Sequence, residues 1–192
     1  IVSFAYGVGL FGSTYLIPVF VQDIAGYSPS HAGYLLLWPG LILGVTIVLA
    51  GRLTDKIDPR GIVAVGLAFF ALSSLLLAFT DARTGFAMTT LWLIIGRVGL
   101  GMIIPALNVG AVSTLPAEHI AHAAASVNFA RQLGGAIGVN LLAVLLEWRL
   151  GVYGVQGKPI AAFQECFWVV TIAFAAAIVP ALAIRRYRPV GD

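Results

Sequence analysis

Six long apolar runs, separated by short polar segments, are the feature that most constrains how this chain can fold. The runs cover residues 1–22, 32–50, 62–80, 86–115, 120–147 and 165–184. Roughly 20 apolar residues are enough for one helix to cross the hydrocarbon core of a bilayer. In lipid, helices satisfy their own backbone hydrogen bonds, and the periods here are not those of barrel strands. We therefore predict an all-α membrane protein whose six transmembrane helices form one bundle.

Composition and charge narrow the class further. Only 10% of the 192 residues are charged and 60% are hydrophobic, whereas a soluble domain carries about 25% charged residues. The net charge of +3 is small, and we assign it to basic loops at an anionic cytoplasmic leaflet rather than to nucleic-acid binding. The basic residues favour a cytoplasmic location for loop 51–61 and the C-terminal tail. We expect a multi-pass protein of the cell (inner) membrane.

A charge-dense short segment between two apolar runs is Gly51–Gly61, with the sequence GRLTDKIDPRG. It is too short for a domain, and we predict a tight loop that turns the chain at the membrane surface. Asp55 and Asp58 alternate with basic residues, so these charges can neutralise one another. The longest predicted loop is 148–163, which contains three glycines and Pro159.

Polar residues well inside the apolar runs mark the candidate site. Arg97 and Arg131 lie near the middle of the fourth and fifth runs. A cation at that depth costs roughly 2.5–3.5 kcal/mol on insertion scales, so it usually faces a protein interior or a wet cavity. We predict a polar cavity for substrate. Its further candidate residues are Asn108, Asn128, Gln132 and Asn140. The alternative is that each arginine is a static residue bound to carbonyls or to an acid on another helix.

Small residues at four-residue spacing predict close helix packing. In the fifth run they are Ser126, Ala130, Gly134 and Gly138, and in the second run they are Gly40 and Gly44. Such stripes let helices approach closely in lipid. Ordinary bundle packing explains them; a sliding seam between moving halves is the sharper alternative.

Metal and enzyme chemistry find little support in the sequence. His119 and His122 share a helix face with Glu118 nearby, but no further ligand is close in sequence. We predict no metal and no cofactor. Asp55 and Asp58 resemble half of a magnesium–diphosphate site of intramembrane prenyl-transfer enzymes, which needs a second acidic cluster. That remote alternative would be an intramembrane lipid or isoprenoid enzyme; we expect a protein that is not an enzyme.

The segment GRLTDKIDPRG resembles a motif of the major facilitator superfamily. Gly51, Leu53, Asp55, Lys56 and Arg60 match it, while the two residues 58–59 depart from it. The stretches FVQDIAGYSPSHAGYLLLWPG and STLPAEHIAHAAASVNFARQLGGAIGV are similar to the fourteen-span drug:proton antiporters of that superfamily. The resemblance covers about residues 10–145 in the expected order.

The resemblance implies that residues 1–192 are the C-terminal six-helix bundle of a longer transporter, built from two inverted three-helix repeats. Its partners would be the bilayer, a small-molecule substrate, protons and the N-terminal six-helix bundle of the same chain. The two bundles would rock about a central cavity and export drugs or amphipathic metabolites in exchange for protons. Asp55 would be a gating acid with Lys56 and Arg60 as local partners.

Two expectations stay open at this point. The acids of the sequence lie in loops or at the ends of runs, so we expect the proton-coupling residue in the N-terminal half. An ion-independent facilitator or importer of the same fold is the alternative to an antiporter. The two interior arginines also leave export of anionic or zwitterionic compounds open.

Overall fold

Six helices form the structure of this chain. The computed structural model describes residues 1–24, 26–54, 56–81, 84–112 and 115–183, apart from the side chain of Ala117. The helices are α1 (Val2–Asp23), α2 (Pro29–Thr54), α3 (Pro59–Ala78), α4 (Phe86–Val112), α5 (Ala117–Val155) and α6 (Pro159–Leu182). Each is long and apolar enough to cross a membrane. The described residues contain no strand, so the predicted all-α membrane fold is confirmed.

The predicted loop 51–61 is shorter than expected. Helix α2 continues through Thr54 and α3 begins at Pro59, so much of the segment is helical. Proline at the first helical position is favourable because its missing N–H would have no partner there. Asp58 is the N-cap residue of α3, and its carboxylate accepts a hydrogen bond from the backbone N–H of Arg60. This carboxylate therefore fixes where α3 starts.

The predicted long loop 148–163 is wrong. Helix α5 continues to Val155 and α6 begins at Pro159. Gly157 adopts a positive φ of 69°. The backbone N–H of Lys158 bonds to the carbonyl of Tyr153 at 2.9 Å, and that of Gly157 bonds to Gly154 at 3.0 Å. This is the Schellman arrangement that ends helices at glycine. The polar residues after position 147 predict the end of the fifth helix, but α5 continues beyond the apolar run to Val155.

Four helix pairs account for most of the packing, and two of them correspond to each other. The most extensive contacts join α3 with α4, α1 with α5, α2 with α4, and α3 with α6. Exchanging α1–α3 for α4–α6 converts the α1–α5 contact into the α4–α2 contact. This correspondence is the one expected of two three-helix repeats with inverted topology.

Glycines bring α1 and α5 together. A Cβ atom added to Gly134 would overlap the carbonyl oxygen of Phe4, and one added to Gly138 would lie 2.8 Å from the Cα of Val8. A Cβ at Gly7 would overlap the carbonyl oxygen of Arg131. These backbones can therefore approach only because the side chains are absent.

Other members of the predicted stripes do not make such contacts. Ala130 is only half-buried, and Ser126 is exposed, with its hydroxyl donating to the carbonyl of His122 at 2.9 Å. Gly40 and Gly44 are exposed, and a Cβ at either position would meet no described atom within 4 Å. Within the described part of this chain neither glycine meets a neighbouring helix, because α2 turns this face away from the bundle, and their role in close packing stays a prediction.

Candidate functional site

Arg97 of α4 lies inside the bundle, with 9% of its surface exposed. It borders an internal cavity of about 20 Å³, whose other polar lining residues are Ser13, Ser73 and Ser74. A space of that size admits about one water molecule. Ser73 also donates a hydrogen bond of 2.6 Å to the carbonyl of Trp92, which ties α3 to α4 beside the cavity.

Arg131 of α5 is half-buried and makes one side-chain hydrogen bond. Its Nη2 donates to Oδ1 of Asn128 at 2.7 Å. Residues three positions apart lie on one face of a helix, and the structure brings this predicted pair together. The contact of Gly7 with the Arg131 backbone sets the depth of α1 against this part of α5.

Tyr6 of α1 is a member of the site that the sequence reasoning missed. Its side chain is 1% exposed, and its hydroxyl has no hydrogen-bond partner among the described residues. Helix α1, which carries Tyr6, packs closely against α5 at Arg131 through the neighbouring Gly7. We call Tyr6, Arg97, Arg131 and Asn128 the polar cluster. A polar tyrosine tip within an otherwise apolar run was the available signal.

Neither arginine of the polar cluster is neutralised by a described acid. The ion pairs of the described ranges join Arg60 to Asp58 and Arg149 to Glu165, and a protonated His119 would pair with Glu118. Within those same ranges, the guanidinium group of Arg97 has no hydrogen bond or ion pair. Helices α4 and α5 therefore each carry one cation that no described acid neutralises.

The remaining predicted cavity residues are not drawn into the polar cluster. Asn108, Gln132 and Asn140 are all exposed. Asn140 donates to the carbonyl of Ala136, one turn back in its own helix, at 2.7 Å.

The predicted gating motif lies where α2 ends and α3 begins. Gly51 and Leu53 belong to the last turns of α2, and Lys56 is exposed just after it. Arg60 forms a 2.9 Å ion pair with Asp58 through Nη2. Asp55, the expected gating acid, lies outside the described residues. Asp58, which departs from the motif, thus has a structural role that the sequence reasoning did not assign.

A second charged group joins α5 to α6 at the opposite end of the bundle. Both carboxylate oxygens of Glu165 are engaged, one by Arg149 Nε at 2.5 Å and the other by the hydroxyl of Tyr153 at 2.5 Å. The Arg149 guanidinium also lies over the Trp148 ring, 4.4 Å from its centre. Gln164 donates to the carbonyl of Thr80 at 2.8 Å and thereby links α6 to the segment after α3.

The amino-acid sequence of this chain matches a known protein family and several named transport proteins. Residues 1–139 match the model of the Major Facilitator Superfamily. The chain is 26% identical over 151 residues to the multidrug transporter protein MdtP of Bacillus subtilis, which covers 79% of this chain and 28% of MdtP. It is 33% identical over 144 residues to a multidrug resistance protein B homolog of Mycobacterium tuberculosis, which covers 74% of this chain and 27% of that protein.

A solved structure supports the fold. The chain superposes with a TM-score of 0.79 on a bacterial homologue of the human drug peptide transporters PepT1 and PepT2, at 18% identity, over 95% of this chain and 39% of the other. At that identity the match concerns the fold alone. The chain spans between a quarter and a third of the length of these curated relatives, 28% and 27% respectively.

Proposed function

Because this chain belongs to the Major Facilitator Superfamily, we propose that it is one bundle of a secondary active transporter that exports drugs or small amphipathic metabolites. Export would proceed by alternating access in exchange for protons. The multidrug relatives support the substrate class. The chain has six candidate membrane-spanning helices and is a multi-pass membrane protein.

The polar cluster is the observation that carries the proposal. Arg97 and Arg131 sit in helices that are apolar enough to span a membrane, where an unneutralised cation is costly. Such residues in membrane proteins commonly mark a substrate or ion pathway. Static packing would be served equally well by apolar side chains, so the two charges favour a role in binding the transported compound.

A partner bundle would cover α2 and α5. In each of the six helices we compare how much of the most apolar stretch is buried inside the bundle. The buried share is smallest in α2 and α5, at 17% and 28%. If the chain consists of two three-helix repeats, α2 and α5 are equivalent helices, which supports one common partner for both. We propose that the partner is the N-terminal six-helix bundle of the same transporter and that this chain forms the C-terminal half.

The positions of the basic residues support one orientation of the helices in the cell inner membrane. Arg52, Lys56 and Arg60 cluster where α2 meets α3, and cytoplasmic loops are enriched in such residues. We propose that this end and the C-terminal tail face the cytoplasm, and that Asp55, Lys56 and Arg60 act together in gating.

Transport by the full chain tests the function. A compound to which expressing cells become resistant is offered to proteoliposomes with an acidic interior. We expect accumulation that stops when an ionophore collapses the pH gradient, and that falls at least about tenfold, a loss of about 1.4 kcal/mol, in Arg131→Ala. Lys158→Ala, which removes an exposed cation far from the cluster, should leave accumulation unchanged.

Other outcomes would replace parts of the proposal. Movement that is indifferent to the pH gradient would favour a facilitator or importer of the same fold. Unchanged export in Arg131→Ala would remove Arg131 from the mechanism. Magnesium-dependent product formation lost in Asp55→Asn and Asp58→Asn would instead favour a lipid or isoprenoid enzyme, although the Asp58 carboxylate already caps α3 and pairs with Arg60.

A further inference from the structure

We propose that the internal cavity beside Arg97 binds one small monatomic anion, a chloride ion, which neutralises the guanidinium group inside the bundle. A single cavity of about 20 Å³ joins the residues concerned. Arg97 of α4, Ser13 of α1, and Ser73 and Ser74 of α3 all line it. The site lies within the bundle itself, so the proposal does not depend on which compound the full chain moves.

Arg97 is a buried cation that lacks a counter-charge. It is 9% exposed, and among the residues that the structure describes it has neither a hydrogen bond nor an ion pair. A buried lysine or carboxylate can give up its charge, but arginine stays protonated in proteins. An ion left unpaired in the interior is strongly destabilising. An anion taken up from solution would remove this penalty.

The size of the cavity selects the kind of anion. A volume of about 20 Å³ holds about one particle of the size of water, so a carboxylate, sulfate or phosphate group does not fit. A water molecule fits but brings no charge. A chloride ion is only slightly larger than water, carries the missing charge and accepts hydrogen bonds from several directions at once.

Ser74 supplies the second donor of the site. It is 3% exposed, and its hydroxyl has no hydrogen bond within the described ranges. The hydroxyl of Ser73 is already engaged by a carbonyl of α4 at 2.6 Å. Ser13 donates to the carbonyl of Leu10 at 3.1 Å, a bond within one helix that a rotation of the side chain would release. Arg97 and Ser74 are therefore the primary ligands, and Ser13 can add a third donor.

The rest of the cavity wall is apolar, as the side chains of Leu16 and Phe70 illustrate. Attraction between opposite charges is stronger in such low-dielectric surroundings than in water. Ser13 is half-buried whereas Ser74 is buried, so the ion would enter past Ser13 along α1. With Arg97 neutralised, the half-buried Arg131 on α5 remains as the cation that a transported compound can meet.

The test is thermal unfolding of the purified full chain in detergent, without any transported compound. Chloride is exchanged stepwise for gluconate at constant ionic strength, because gluconate is too large for the cavity. We expect the melting temperature to rise by about 2 °C or more with chloride and then to saturate, as binding to the folded state alone requires. Bromide should stabilise the chain in the same way, and sulfate should not.

Substitutions with matched controls identify the ligands. Arg97→Gln should abolish the chloride-dependent rise, whereas Lys158→Gln, which removes an exposed cation, should preserve it. Ser74→Ala should weaken the apparent chloride affinity about threefold to tenfold. Ser126→Ala, which removes an exposed hydroxyl of α5, should leave that affinity within about twofold.

A measurement on the wild-type chain keeps the proposal testable if Arg97→Gln does not fold. Anomalous diffraction from crystals soaked in bromide should show one bromide ion between Arg97 and Ser74. A cavity that contains water alone in such crystals would overturn the proposal. A wild-type chain without a halide-specific rise in melting temperature, or an equal rise in Arg97→Gln, would overturn it as well.

The anion site and the transport function fail separately, because the binding test involves no compound and no gradient. Chloride binding at Arg97 by a chain that exports nothing would refute transport alone. Intact export by a chain without any halide response would refute the anion site alone.

Discussion

Gly7 of α1 lies directly against the backbone carbonyl of Arg131 on α5. The contact fixes how closely α1, which carries Tyr6, approaches the part of α5 that carries Arg131. A substitution that separates the two helices would therefore also change the position of Arg131 relative to α1.

Gly7→Ala should destabilise the full chain by about 1–2 kcal/mol. The new methyl group would overlap the Arg131 carbonyl, and overpacking costs typically 1–3 kcal/mol, partly offset by the better helix propensity of alanine. Thermal unfolding in detergent measures the effect. The matched control is Gly151→Ala in α5, where a Cβ meets no described atom within 4 Å; it should be neutral or stabilising. Equal melting temperatures for the two variants would contradict the close contact.

Glu165→Gln should destabilise the α5–α6 hairpin by about 1–2 kcal/mol, because it neutralises a carboxylate that forms an ion pair with Arg149 and accepts a hydrogen bond from the Tyr153 hydroxyl. We place the value near the lower end for hydrogen bonds to charged groups, since Arg149 and Glu165 side chains are about one third exposed (30% and 34%). Chemical unfolding followed by tryptophan fluorescence measures it. Glu147→Gln, an exposed acid on α5, should change stability by less than about 0.5 kcal/mol. A loss of equal size in both variants would show that the hairpin contact is unimportant.

Asp58→Ala should cost about 1 kcal/mol or more, since it removes both the cap of α3 and the ion pair with Arg60. Asp58→Asn should recover most of the loss, because asparagine is an equally good N-cap residue although it cannot form the ion pair. Thermal unfolding of both variants distinguishes the two contributions. If asparagine is as damaging as alanine, the ion pair rather than the cap holds this helix start.

Gly44→Leu tests the proposed partner bundle. The leucine would meet no described atom within 4 Å of its Cβ in this bundle, yet it would protrude from the face of α2 proposed to receive the second bundle. We expect export by the full chain to fall at least about tenfold while the protein still inserts into the membrane. Gly151→Leu, on a surface that is also open, is the control. Full activity of Gly44→Leu would place α2 against lipid instead.

Length and hydrophobicity were enough to predict the six helices, because a span must be apolar over a minimum distance whatever packs beside it. The C-terminal end of α5 could not be predicted from length and hydrophobicity. Once a helix leaves the hydrocarbon core, its residues have loop-like composition, and only the Gly157–Pro159 pair marks the true end.

Small-residue spacing predicted a packing surface without identifying its partner. Gly134 and Gly138 meet α1, whereas Gly40 and Gly44 show the same spacing and meet no described helix. The spacing of small residues predicts that another helix packs closely at that surface. Which helix this is depends on the tertiary arrangement.

Within the site, the polar side chains on one helix face could be predicted from helical periodicity, as Asn128 and Arg131 show. Tyr6 could not be found this way, because its membership depends on how deep α1 lies against a distant helix. The sequence spacing within α1 carries no information about that depth.

Helix α5 contains 39 residues, which at 1.5 Å per residue is about 58 Å. This is nearly twice the roughly 30 Å thickness of the hydrocarbon core, so even a strongly tilted α5 stands out of the bilayer by several turns. The C-terminal end of α5, which Arg149 and Tyr153 tie to Glu165 of α6, belongs to the same continuous helix as Arg131. A binder directed at residues 156–158 would therefore contact the chain directly at the end of that helix.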